Sequence, residues 1–245
     1  MPYYNFMYGD IWYFVLVLPA FLLALWAQVK VKNTYKKMSA VRNARGLTGA
    51  EAALRVLYEN GVTDVRIERI SGTLTDHYDP RSNIIRLSDG VYDSASVAAV
   101  GIACHEAGHA VQYAKSYKPI RVRNAILPVC NIGSKIGLPL AILGLFVLFR
   151  VSDGSGFGAM IATWLFWAGI LLYGLVALFQ LVTLPVEFNA SRRAMQTIES
   201  TGMLAGDELR GARKVLTAAA LTYVAALAVS LANLLRLILR ASRKR

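Results

Sequence analysis

The sequence predicts a mainly α-helical, multi-pass membrane protein with a small α+β part built around one chemistry-bearing helix. Three observations carry that reading. The chain is 56% hydrophobic over 245 residues, rich for a water-soluble domain. Four long apolar stretches stand out: Ile11 to Ala27, Ile126 to Phe149, Phe157 to Leu184 and Leu216 to Leu235. Between the first two lie short alternating segments and His105-Glu106-Ala107-Gly108-His109, an H-E-x-x-H.

A helix needs roughly 20 apolar residues to span a bilayer. The third and fourth stretches satisfy this without a charged residue, and the first nearly does. The second is weakened by Asn131 and by Lys135, whose ammonium would have to snorkel. Tyr3, Tyr4, Phe6, Tyr8, Trp12 and Tyr13 have the composition of an interfacial aromatic belt. Met1 to Asp10 holds no Lys or Arg, which argues against a secretory signal peptide. Lys30, Lys32, Lys36, Lys37, Arg42 and Arg45 follow the first stretch. The positive-inside rule therefore puts the N-terminus outside and residue 28 onward in the cytoplasm. The polar loop Arg150 to Gly156 is short enough only for a hairpin, and Arg192, Arg193, Arg210, Arg213 and Lys214 mark the cytoplasmic side again. Arg240, Arg243, Lys244 and Arg245 run against the rule. Either Leu216 to Leu235 lies along the membrane on the active-site side, or the rule fails there.

The expected organisation is a transmembrane segment over 1–27, a cytoplasmic catalytic part over 28–125, a transmembrane hairpin over 126–184, and a ligand-bearing helix plus a hydrophobic helix over 185–245, integrated as a single domain. The net charge of +12 invites a nucleic-acid reading. No aromatic-basic interleaving or nucleic-acid motif supports it, and basic flanks of apolar runs are explained by membrane topology. The two cysteines, Cys104 and Cys130, form no C-x-x-C and imply neither a disulfide framework nor a thiolate metal site. Cys104 reads as a small buried hydrophobe.

Thr48-Gly49-Ala50-Glu51 is a capping box, Asn60-Gly61 a stop, and Ala52, Ala53, Val56 and Leu57 make the helix between them amphipathic. Val65 to Ile70 and Ile84 to Leu87 alternate as strands, with turn signals at Asp79-Pro80 and Ser88-Asp89-Gly90. Ile84 to Leu87 is the candidate edge strand for holding a substrate backbone by strand addition. Val97 to Ala114 contains no proline and reads as one helix, with Asp93 or Ser94 available to cap it.

On that helix His105 and His109 are four apart, hence on one face, where two imidazoles can take adjacent corners of a zinc tetrahedron. Glu106 is then placed to act on a water at the metal. A lone helical histidine is usually only packed or exposed. Here two of three histidines fall at this spacing, around a carboxylate that is costly in apolar surroundings unless it has a partner. Two histidines are too few, because catalytic zinc takes three protein ligands and a water. His77 is the remaining histidine, in a polar, turn-rich neighbourhood that favours a solvated residue. Glu187, after Pro185 at an expected helix start, is the preferred third ligand, and the hairpin returns it to the side of His105. Charge complementarity at a helix N-terminus is its plainer explanation. Glu199 and Asp207 are the alternative ligands.

The sequence resembles the neutral zinc metallopeptidases of bacterial membranes, the YugP-like family. The resemblance runs through the Thr48 to Glu51 helix, Leu74-Thr75-Asp76-His77-Tyr78-Asp79-Pro80, the H-E-x-x-H, and Leu184 to Ala194. More distantly it is similar to gluzincin membrane peptidases of the HtpX and CAAX-protease type, where Glu-x-x-Ala-Asp supplies the third ligand. Glu187 and Ala190 fit that pattern, and Ser191 stands in place of its Asp. Asn189 stands where the closer family is expected to carry an Asp. Both departures bear on the hydrogen bond that orients a zinc histidine.

The resemblance implies a zincin-like catalytic part. The expected activity is that of a zinc metalloendopeptidase, with Zn²⁺ on His105, His109 and Glu187 and with Glu106 as general base. His77, Tyr113, Tyr223 and Arg192 are candidate oxyanion donors. Expected partners are the lipid bilayer and a peptide or membrane-protein substrate, with no nucleic acid. The competing class is a membrane adaptor or structural protein with a structural metal or none. Closed structural zinc sites use four protein ligands, and no fourth is evident.

Overall fold

The computed structural model describes residues 11–150 and 156–242. The aromatic residues Tyr3, Tyr4, Phe6 and Tyr8, the interior of the expected hairpin loop and the basic residues Arg243, Lys244 and Arg245 lie outside the described residues. The expected apolar stretches all fall in helices. These are α1 (Tyr13–Ser39), α5 (Lys118–Arg150), α6 (Gly156–Ser200) and α7 (Gly206–Ser242), each long and apolar enough to cross a membrane. The rest is α2 (Gly49–Glu59), β1 (Arg66–Ile70), β2 (His77–Asp79), β3 (Ile84–Ser88), the short α3 (Asp89–Tyr92) and α4 (Val97–Ala114). The protein is thus mainly helical with a small three-stranded sheet.

The chain divides into two compact units. One consists of Ala27–Arg121 and Leu184–Thr222, and the other holds the remaining described residues. In the latter, α5 and α6 pack backbone to backbone. A Cβ on Gly144 would sit 2.4 Å from the Phe166 nitrogen, and one on Gly169 would sit 2.3 Å from that of Ala141. Close approach through small residues is the usual contact between membrane helices, where dispersion rather than the hydrophobic effect drives packing. On α1, Phe14, Phe21, Leu22, Leu25 and Trp26 are exposed, a continuous apolar surface suited to lipid.

The first unit carries the α+β part. Its core joins Val56 and Leu57 of α2, Ile85 and Leu87 of β3, Val100, Ala103 and Ala107 of α4, Ala194 and Ile198 of α6, and Ala212 and Leu216 of α7. The Thr48 capping box with Glu51 starts α2, and Asn60 ends it with Gly61 at φ +71°. Ser96, not Asp93 or Ser94, caps α4 by accepting from the Ala99 N–H at 3.1 Å. The segment before it is pinned by Asn43, whose amide donates to the carbonyls of Leu47 and Ala95, each at 2.8 Å.

The sheet order is β1-β3-β2, parallel between β1 and β3 and antiparallel between β3 and β2. This corrects two sequence expectations. Ile84 to Leu87 lies in the central strand, so both its edges are taken and it has none to offer a substrate. Residues 77–79, of which Asp79 belongs to the turn signal Asp79-Pro80, form the edge strand β2. Asp76 anchors β2 to the end of β3 by accepting from the Ser88 N–H at 2.7 Å. Ser88-Asp89-Gly90, read as a turn, leads into α3. A further correction concerns Pro185. It lies inside α6 rather than at a helix start. Long membrane helices tolerate such a proline because neighbouring groups can satisfy the backbone it frees.

Candidate metal centre

Two helices of the first unit build the centre. Residue 108 of α4 is glycine because α6 passes there: an added Cβ would lie 2.6 Å from the Ala190 carbonyl oxygen. That close approach brings His105 and His109 of α4 against Glu187 of α6. The Glu187 Oε2 lies 3.3 Å from His105 Nε2 and 3.5 Å from His109 Nε2. The imidazole rings meet edge to face, with centroids 4.7 Å apart. Each of these residues offers one donor atom, all within 4.8 Å of one another. Glu187 is only 3% exposed, so its carboxylate is withdrawn from water and held against the two imidazoles.

The outward ring nitrogens are also engaged. Gln112, fully buried one turn beyond His109, donates from Nε2 to the Val186 carbonyl at 2.8 Å and to Asn189 Oδ1 at 3.0 Å. The Val186 oxygen can only accept, so the Gln112 Oε1 must be the atom that faces His109 Nδ1, at 3.0 Å. His109 Nδ1 therefore carries a proton, and its Nε2 faces Glu187. Arg193 Nε completes the chain by donating to Asn189 Oδ1 at 2.8 Å. Ser191 Oγ lies 3.1 Å from His105 Nδ1. Ser191, the residue in place of the Asp, thus still partners a histidine, and Asn189 acts through Gln112. Sequence reasoning missed Gln112. The signal was a polar side chain three residues after His109, on the same face of an otherwise apolar helix.

Glu106 lies beside this cluster on α4. Its Oε2 accepts the Tyr78 backbone N–H at 3.1 Å, which ties the outer edge of β2 to the helix. The Tyr78 hydroxyl donates to Asn83 Oδ1 at 2.7 Å, and burial, with neighbouring acidic groups, pushes its pKa up to about 12. Burial by itself disfavours a charged His109, yet hydrogen bonding to Glu187 and the charges of Glu106 and Glu187 outweigh it and raise its pKa.

Of the candidate oxyanion donors, His77 is exposed, with Nδ1 2.8 Å from the Thr75 carbonyl oxygen. The Tyr113 ring packs edge to face on Tyr78, 5.4 Å between centroids. Arg192 lines a cavity of about 470 Å³ that Ser191 also lines, and Tyr223 belongs to the other unit. The alternative ligands lie elsewhere: Asp207 pairs with Arg210 and Glu199 is exposed.

The geometry sits on a recognisable sequence. A family model described as "Putative neutral zinc metallopeptidase" matches residues 13–242. The chain is 46% identical over 224 residues to the "Putative membrane protease YugP" of Bacillus subtilis (strain 168), covering 91% of this chain and 94% of that protein. No solved structure matches it. With that span and identity, the chain belongs to the neutral zinc metallopeptidase family so described.

Proposed function

We propose that the protein is a membrane-embedded zinc metalloendopeptidase, with His105, His109 and Glu187 as metal ligands and Glu106 as general base. The observation that carries this reading is the convergence of two imidazole Nε2 atoms on one buried Glu187 oxygen, at 3.3 and 3.5 Å. Donors about 2.0–2.1 Å from a tetrahedral zinc are separated by about 3.3 Å, so the residues present fit the ion. Two histidines and a glutamate also form one of the known donor sets that leave a fourth corner open. Zinc bound there would supply Lewis acidity and a water of lowered pKa.

The chain's own groups do the rest. Gln112 and Ser191 fix the imidazoles through their Nδ1 atoms, which keeps Nε2 available to the ion. The Tyr78 N–H holds the Glu106 carboxylate by Oε2 and leaves its other oxygen for proton transfer. Glu106 takes a proton from the attacking water and returns it to the leaving amine. The outer edge of β2, beside Glu106, is the place for an extended substrate backbone. The cavity of about 470 Å³ next to Ser191, with Phe188, Met195 and Leu216 in its wall, suits an apolar substrate side chain.

The active site faces the cytoplasm in this reading, as the basic residues after the apolar stretches of α1 and α6 support. Glu187 follows Leu184, the end of an apolar stretch, by three residues on α6, and a helix rises about 1.5 Å per residue. Substrates are then membrane proteins, or peptides presented at the membrane surface. The alternative of a structural metal calls for four protein ligands, whereas among the described residues the cluster contains three. The test is cleavage of casein and of a membrane protein by the purified, zinc-loaded chain. Glu106→Gln should abolish cleavage and retain zinc. Cleavage at the wild-type rate by that variant would rule out the assigned mechanism.

A further inference from the structure

We propose that the cavity between α1 and α7 in the first unit binds the headgroup of an anionic phospholipid. Lys30 and Lys37 on α1 and Arg210, Arg213 and Lys214 on α7 line it, and among the described residues no carboxylate does. Asp207 pairs with Arg210 from the flank, which leaves a net cationic lining. The helices converge beneath: a Cβ on Gly211 would lie 2.8 Å from Met38 Sδ. From there they enclose a cavity of about 780 Å³, within the ~300–1,000 Å³ of ordinary ligand sites.

A concave, one-signed lining attracts an anion. Position along the helices says which. On α1 the apolar stretch ends at Ala27 and Lys30 follows within a turn. On α7 Lys214 precedes Leu216, the start of an uncharged run to Leu235. Lys30 on α1 and Arg213 and Lys214 on α7 occupy the turn next to the apolar run of a helix long and apolar enough to cross a membrane, while Lys37 and Arg210 line the cavity farther from it. The turn next to the run is the level of lipid phosphodiesters, where basic residues recognise anionic headgroups. The Arg213 guanidinium can bind two phosphate oxygens at once, while the lysines act as point charges. This inference is independent of the metal centre.

The test is thermal unfolding of the full chain in dodecyl maltoside micelles, titrated with dioctanoyl phosphatidylglycerol. A saturable rise in unfolding temperature is expected, absent with dioctanoyl phosphatidylcholine and with glycerol phosphate. Lys30→Gln and Arg213→Gln should each weaken the apparent affinity about fivefold, from the usual worth of one basic residue at an anionic surface. Their unfolding temperature without lipid should stay near wild type, and Lys30→Arg should bind normally. Equal stabilisation by phosphatidylcholine, a matching effect of glycerol phosphate, or undiminished binding by the Gln variants would each overturn the proposal.

Discussion

His109 donates from Nδ1 to the side-chain oxygen of Gln112 across 3.0 Å, one turn along the same helix. Gln112 is itself locked by Val186 and Asn189 of α6, so the His109 Nε2 that faces Glu187 is oriented from the opposite helix. Gln112→Ala should weaken zinc binding about 10–100-fold, the usual effect of losing a ligand's supporting hydrogen bond. Chelator competition on the purified chain measures it. Unchanged affinity would show that helix packing alone orients the ring.

Ser191 does the same for His105. Ser191→Ala should lower zinc affinity about tenfold, whereas Ser191→Asp, which restores a stronger acceptor, should not lower it. A Ser191→Ala chain that binds zinc as wild type does would remove the hydroxyl from the account.

Gly108 lets α4 meet α6. A Cβ there would stand 2.6 Å from a backbone oxygen, which cannot swing aside as a side chain can. Gly108→Ala should therefore destabilise the protein by about 1–3 kcal/mol, as overpacking does, and should also reduce bound zinc by parting Glu187 from the histidines. Thermal unfolding in detergent and metal content check both effects.

The Asp79 carboxyl is held well below the usual range by the Ser82 hydroxyl, the Arg81 N–H and Arg86. A folded-state pKa below the unfolded one gives stability that is present above the unfolded value, near 4, and lost as pH falls through the folded value. Protection factors of the β2 and β3 amides should thus fall on acidification below about pH 4. Asp79→Asn should exchange faster at neutral pH and lose that part of the acid dependence.

Topology can be checked at Ser71, which is exposed. In a background without Cys104 and Cys130, Ser71→Cys should resist an impermeant thiol reagent in intact cells and react after lysis. Labelling from outside would place the catalytic part on the other face and change the substrate class to exported proteins.

The long helices and α4 are legible in the sequence because their signals are local: unbroken apolar runs, a periodic face, an H-E-x-x-H. The capping box at Thr48 is equally local. β2 was hidden because three residues before a proline carry no strand pattern of their own. Pairing with β3 and the Asp76 anchor make it a strand. The exclusion of Ile84 to Leu87 from an edge is likewise a fact of pairing. Pro185 signals a helix start in water, but a long membrane helix can hold such a proline in its interior. Gln112 was readable only as a buried polar residue, and its partners on α6 lie more than seventy residues away.

The central claim is that His105, His109 and Glu187 together hold the ion while Glu106 does not. The most direct measurement is zinc content per chain, by elemental analysis, of Glu187→Ala beside Glu106→Gln. The account predicts equimolar zinc in the wild type and in Glu106→Gln, and little or none in Glu187→Ala. Full zinc in Glu187→Ala would contradict it.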